Sequence, residues 1–260
     1  PSACREDVQY LLDTLNGVLR TPVSLSDIES VYVGLRPLIA GAEDQTTKLS
    51  REHAVNRPIP GLVLVSGGKY TTYRAMAKDV VDVAMKEELI SAAPSLTESY
   101  PIVGADGFER AWSDRIRLAK EANLTQPQYE RLLHRYGTLV GEVLESSKDD
   151  PSALEEISGS GGYLRAEVTY AVTHEGARHL DDVLVRRTRI AMETPDRGTG
   201  CSLEVAMLMG RHLGWNQETL DAEVASYGIE VAGDVQAEAQ ADESAANEII
   251  GKVRPRYELA

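Results

Sequence analysis

The stretch GLVLVSGGKYTTYR, Gly61 to Arg74, changes its hydrophobic period part-way along. Gly61 to Ser66 is short, apolar and bounded by Pro60 and Gly67, which predicts a buried strand. From Thr71 to Leu89 the period turns helical, with Tyr73, Met76, Ala77, Val80, Val81, Ala84 and Met85 on one face. Gly67, Gly68 and Lys69 therefore occupy a strand-to-helix turn. Two glycines there let the backbone take positive φ, or let a flat ligand approach where a Cβ would block it.

The start of the helix presents free N–H groups and the positive end of the dipole. Thr71 or Thr72 is placed to cap it, and Lys69 adds a full positive charge. Such an arrangement suits a delocalised anion, either a phosphate or the N1–C2=O edge of a reduced flavin. On spacing alone the turn better suits a packing role, with a surface lysine, because Gly-rich turns are common and weakly specific. It is not a P-loop, because GxxxxGK[ST] is absent, and no GxGxxG follows a strand.

Two arginines precede the turn. Arg36 lies in YVGLRPLI, an apolar, strand-like run within Val31 to Ile39. A guanidinium in such a run needs a partner, which is a core carboxylate or a bound phosphate or carboxylate. Arg51 lies in KLSREHAV, a surface position unless the loop folds inward, and His53 beside it has the chemistry of a base or of a structural residue.

Further out, Asp7 to Leu19 predicts a helix closed by Thr21-Pro22. Beyond residue 93 the pattern is helical nearly throughout: Glu109 to Ala122, Thr125 to Ser146, Tyr163 to Thr173, Ser202 to Leu213 and Asn216 to Tyr227 each carry an apolar stripe. Thr125 and Asn216 read as N-caps, with Pro127 in the first turn. Ala232 to Ala246 is small, polar and acidic, which predicts a mobile linker before a short final element. The fold class is α+β: a sheet-containing part over 1–92, an all-α domain over 93–230, and a tail over 231–260.

Hydrophobic residues make up 42% and charged residues 26% of the 260 positions, an ordinary globular composition. The 27 basic and 41 acidic residues give a net charge of −14, which disfavours nucleic acid as a partner. Cys4 and Cys201 stand far apart, outside any CxxC or Cys/His cluster, and fit a reducing compartment. His174 and His179 are five apart without HExxH, so no metal is expected. Arg186, Arg187 and Arg189 beside Asp181 and Asp182 read as an ion-pair network docking this domain on the rest of the protein.

Several long segments together carry a resemblance that spacing does not supply. DVQYLLDTLN, YVGLRPLI, TTKLSREHAV and GLVLVSGGKYTTYRAMAKDVVD, followed by RYG at Arg135 to Gly137, AEVTYAVTHEGARHLDDVLVRRTRI and LGW at Leu213 to Trp215, resemble FAD-dependent glycerol-3-phosphate dehydrogenase, in that family's order. The resemblance runs to about residue 229 and leaves the acidic tail uncovered.

The resemblance implies the later part of a longer flavoenzyme. That part holds the end of the substrate and FAD domain and the helical C-terminal domain, and it would be inactive without an N-terminal FAD domain. It implies substrate-binding roles for Arg36 and Arg51 toward sn-glycerol 3-phosphate, and contact of Gly67, Gly68, Lys69, Tyr70 and Thr71 with FAD. The implied reaction yields dihydroxyacetone phosphate and passes electrons to a quinone, or to oxygen in the oxidase branch. The catalytic base is not assigned. A cytoplasmic protein, peripheral to the inner face of the membrane and compatible with a homodimer, follows from the same resemblance. A helical interaction module without catalysis is the competing reading, and retention of GGKYTTYR, Arg36 and Arg51 argues against it.

Overall fold

The computed structural model describes residues 2–35, 52–87 and 93–253. The chain forms two compact units, one of residues 1–33 with 104–260 and one of residues 34–103. This division differs from the one read off composition, because the first helix groups with the helical body rather than with the hairpin.

The larger unit contains α1 (Arg5–Asn16) and, beyond the smaller unit's α2 (Tyr73–Glu87), a run of helices. These are α3 (Phe108–Ser113), α4 (Arg115–Glu121), α5 (Gln126–Tyr136), α6 (Val140–Val143), α7 (Arg165–Thr173), α8 (Ile190–Glu193), α9 (Ser202–Leu213), α10 (Gln217–Glu238) and α11 (Glu243–Val253). Both predicted caps form. The Thr125 hydroxyl accepts from Gln128 N–H at 3.4 Å, and Asn216 Oδ1 accepts from Thr219 N–H at 2.9 Å.

Two expected helices are broken. The one over Glu109 to Ala122 divides at Asp114 into α3 and α4. The one over Thr125 to Ser146 stops at Gly137, whose φ is +58°. There the Gly104 carbonyl approaches so closely that a Cβ has no room, and Thr138 N–H donates to that carbonyl at 2.9 Å.

Helix α7 is a wall shared by two cores. Ala166 and Tyr170 face Leu132, Leu133, Val140 and Val143, while Val168 and Ala171 join Leu180, Leu184, Ile190, Val205 and Met209. A third cluster of Cys4, Ala237, Ala246 and Ile250 ties the start of α1 to the α10–α11 hairpin. Arg5 N–H donates to the Gln240 carbonyl at 2.8 Å, and Ser2 Oγ to Asn247 Oδ1 at 2.7 Å. The tail expected to be a mobile linker is thus mostly helix, because its alanines and Gly233 let α10 and α11 approach closely.

The smaller unit holds β1 (His53–Ile59) and β2 (Leu62–Gly67), an antiparallel hairpin turned at Pro60-Gly61. His53 pairs with Gly67 and Val55 with Val65, and the register slips between Asn56 and Ile59, where Pro58 cannot donate to the ladder. β1 is not evident in the sequence because Asn56, Arg57 and Pro58 interrupt its alternation. β2 lies where predicted but is not a buried strand: Leu62, Leu64 and Val65 are 40%, 48% and 45% exposed. A continuous apolar run suits burial on both faces, and among the described residues of its unit the helix packed against this hairpin is α2. Residues 31–35 form no strand, and 36–39 lie outside the described residues.

Candidate functional site

The Gly-Gly-Lys turn is built as its sequence requires. Gly67 and Gly68 have φ of +71° and +82°, a conformation that costs any residue with a Cβ. Gly68 N–H donates to the Glu52 carbonyl at 3.2 Å, fastening the turn to the residue before β1. A Cβ on Gly68 would lie 2.5 Å from Met76 Sδ and 3.1 Å from His53 Cβ, so the turn sits tightly on both β1 and α2.

A short 3₁₀ turn, Tyr70–Thr72, leads into α2. Its cap is reciprocal: Lys69 N–H donates to Thr72 Oγ1 at 3.3 Å, and the same hydroxyl donates to the Lys69 carbonyl at 3.0 Å. The first bond of the turn is Thr72 N–H to the Lys69 carbonyl at 3.0 Å, so the Tyr70 and Thr71 N–H groups precede the hydrogen-bonded ladder. Lys69, Tyr70 and Thr71 are exposed, and the Tyr70 and Tyr73 ring centroids stand 6.0 Å apart. The turn therefore gathers a cation, two N–H donors and the positive end of a 15-residue helix. That donor set fits an anionic edge, including the N1–C2=O edge of a reduced flavin.

His53 is placed beneath this turn. Its Nε2 lies 2.9 Å from Asp79 Oδ2 on α2, with the side chains 22% and 47% exposed. Asp79 escaped the sequence reading, although it stands one helical turn beyond the inward-facing Met76. Arg36 and Arg51 lie outside the described residues, so their roles rest on the resemblance alone.

Residues 95–220 match the family model described as the C-terminal domain of alpha-glycerophosphate oxidase. The glycerol-3-phosphate dehydrogenase of Mycobacterium leprae is 45% identical over 247 residues, which is 95% of this chain and 42% of that protein. The mitochondrial glycerol-3-phosphate dehydrogenase of Mus musculus is 30% identical over 226 residues, covering 84% of this chain and 30% of that one. The chain belongs to the glycerol-3-phosphate dehydrogenase family.

A solved structure of the glycerol-3-phosphate dehydrogenase from Bacillus halodurans, complexed with FAD, matches with a TM-score of 0.70 at 24% identity. It covers 89% of this chain and 45% of that one, and it shows the shared fold. The chain thus spans less than half the length of these glycerol-3-phosphate dehydrogenases. The mycobacterial match, at 95% of the chain, also reaches into the acidic tail that the resemblance had left out.

In the helical unit that the family model covers, the other residues singled out from sequence have structural partners. His174 stacks on Tyr170 with centroids 4.5 Å apart, and His179 Nδ1 lies 2.8 Å from Glu223 Oε1. Arg186 pairs with Asp181 and Asp182, Arg187 donates to the Glu175 carbonyl, and Arg189 pairs with Glu193. The arginine trio knits this unit internally, where a docking network had been expected.

The sequence reading also missed Glu167, fully buried on α7. Its carboxylate accepts from Arg131, the Leu164 N–H and the Tyr136 hydroxyl at 2.9, 3.0 and 3.2 Å. Among the described residues no group of three or more His, Cys, Asp or Glu side chains is arranged to hold a metal ion, and no helix is long and apolar enough to cross a membrane.

Proposed function

We propose that the chain serves a flavoenzyme that oxidises sn-glycerol 3-phosphate to dihydroxyacetone phosphate, with FAD as the hydride acceptor and a quinone as the final oxidant. The observation that carries this reading is the pair of left-handed glycines that brings Lys69 and the first N–H groups of the α2 approach to one end of the hairpin, in a chain of this family.

FAD, when bound, supplies an acceptor for the hydride leaving C2 of the substrate. The residues here do the electrostatic part. The Lys69 ammonium and the Tyr70 and Thr71 N–H groups offset negative charge that develops at the flavin N1 and O2. Gly67 and Gly68 carry no Cβ, which lets the turn pack tightly on Met76 and His53 while Lys69, Tyr70 and Thr71 stay exposed beyond it. By resemblance Arg51 pairs with the substrate phosphate and Arg36 holds its other oxygens, and the two roles are exchangeable. The base that takes the hydroxyl proton is left unassigned.

The partner that completes the site is the FAD-binding region carried by the remaining length of the relatives. The apolar residues Leu62, Leu64 and Val65, exposed on a strand with a core-like sequence, are what such a region would cover. The family model is named for an oxidase, so oxygen is the alternative acceptor. A quinone acceptor would bring the enzyme to the inner face of the membrane.

The test is the visible spectrum of the complete gene product, recorded anaerobically before and after sn-glycerol 3-phosphate. A flavin band that bleaches supports cofactor and substrate class together. A band that does not bleach sinks the substrate, and no flavin at all sinks the enzyme. Reoxidation by a soluble quinone rather than by air then separates the two acceptors.

A further inference from the structure

The usefulness of the Gly-Gly-Lys turn depends on what holds it in place. We infer that His53 and Asp79 form a latch, a pair of positioning residues that fixes the Gly67–Gly68 turn against α2 and so sets the charge environment of the bound flavin. For that last consequence the inference rests on the flavin reading above; the latch itself rests on geometry alone.

Three contacts converge on the turn from the β1 side. His53 is the register partner of Gly67, its Cβ stands 3.1 Å from where a Gly68 Cβ would be, and the residue before it accepts the Gly68 N–H at 3.2 Å. From the α2 side, Met76 packs its sulfur against Gly68, and one turn later Asp79 reaches His53 at 2.9 Å. An ionised carboxylate only accepts, so the His53 Nε2 carries the hydrogen and donates to Asp79 Oδ2. Lys78 Nζ lies 3.9 Å from Asp79 Oδ1 but makes its shorter contact, 2.7 Å, with Asp82. The Asp79 carboxylate is thus left to the imidazole as its close partner.

The bond closes a loop of structure: β1, the two glycines, the Tyr70–Thr72 turn and two turns of α2. Glycines with positive φ have no side chain to hold them, and a bond between the flanking elements supplies the constraint they lack. A charge-assisted bond with one partner largely sheltered is stronger than an exposed pair. If it is lost, Lys69 and the free N–H groups keep their chemistry but lose a fixed position, which weakens preorganised stabilisation of charge.

The test uses the complete, FAD-loaded gene product and the variants Asp79→Ala, Asp79→Asn, His53→Phe and the His53→Phe/Asp79→Ala double. Amide hydrogen exchange over residues 67–72 reads the latch. The dissociation constant of sulfite, which adds to flavin N5 and drives negative charge onto N1–C2=O, reads the consequence. Asp79→Ala and His53→Phe are expected to speed exchange at the turn and to weaken sulfite binding about five- to tenfold each, the worth of one ordinary hydrogen bond.

Asp79→Asn, which keeps an acceptor without charge, is expected to fall between, and the double to be no worse than either single. Should Asp79→Ala not fold, Asp79→Asn carries the test. Unchanged exchange at the turn in the single variants overturns the latch, and so do losses that simply add in the double. Faster exchange with unchanged sulfite affinity overturns its role at the flavin. A parent protein that holds no flavin defeats the flavin reading instead, and exchange at the turn still decides the latch.

Discussion

Glu167 Oε1 accepts a hydrogen bond from Arg131 Nη2 at 2.9 Å with none of the glutamate side chain exposed. A second guanidinium, Arg135 Nε, stands 3.6 Å from the other carboxylate oxygen, and the Arg131 guanidinium lies 4.4 Å over the Tyr163 ring. One buried anion thus holds two cations where the two main cores meet on α7. Glu167→Leu would leave both arginines without their counter-ion, at a cost of about 3–5 kcal/mol. Replacing Arg131 and Arg135 by methionine in the same variant should recover the part of that loss due to unpaired charge, while the Leu164 N–H and the Tyr136 hydroxyl still lose their acceptor. Urea unfolding midpoints of the single and triple variants check both outcomes; a single variant within about 1 kcal/mol of the parent defeats the argument.

At the turn, Gly68→Ala meets two obstacles of different kinds. Its Cβ would lie 2.5 Å from Met76 Sδ, the flexible end of a side chain, and its φ of +82° is a backbone cost that no neighbour can relieve. The expected loss is about 1–3 kcal/mol, and adding Met76→Ala should recover only the steric part. Full rescue by Met76→Ala would show that the backbone was free to relax. Retention of flavin by the complete protein, read from its absorbance, should fall in parallel.

His179 carries a pH dependence with a defined sign. The hydrogen bond to Glu223 raises its pKa above the usual 6.5, against an opposing effect of burial, with Asp181 and Asp182 adding to the rise. The folded state therefore holds this proton more tightly than the unfolded chain. The resulting stability is complete below pH 6.5 and is lost as pH rises through the raised folded value. His179 is 48% exposed, so solvent screening holds the contribution to about 0.5–1 kcal/mol. Glu223→Gln keeps an acceptor for the Leu180 N–H, now at 3.0 Å, and removes the charge. Its destabilisation in urea should be larger at about pH 5.5 than at about pH 9, and equal losses at both would refute the linkage.

What the sequence disclosed follows the range of the interactions involved. The strand, the glycine pair and α2 are legible because a short continuous apolar run gives way to helical spacing within a few residues, and φ > 0 at Gly67 and Gly68 is a local demand. The partner of His53 is not legible, since Asp79 lies 26 residues away on a different element. Nothing local in the sequence singles out Glu167, because its partner Arg131 lies 36 residues earlier on another helix. The break at Gly137 escapes periodicity because the apolar spacing continues across it, and only the approach of Gly104 imposes it. The hairpin's exposed apolar side chains show the converse: composition marked a buried strand, and burial depends on what else packs there.

The tail offers the sharpest check on packing, because small residues that resemble a linker are what let two helices touch. Gly233 on α10 faces Val253 on α11 so closely that a Cβ there would overlap the Val253 Cγ2, with Cβ and Cγ1 at 3.1 and 3.2 Å. Gly233→Ala gains helix propensity worth about 1 kcal/mol but overpacks the contact at about 1–3 kcal/mol, so the net effect is destabilising. Val253→Ala in the same chain makes room and should turn the net change to near zero or slightly favourable. A free linker would respond oppositely, with Gly233→Ala alone neutral or stabilising and Val253→Ala without influence on it. Thermal midpoints of the two single variants and the double, compared as a cycle, separate the two cases. Because Cys4 and Ala237 share the same cluster as Ala246 and Ile250, the loss should also appear as faster amide exchange at the start of α1.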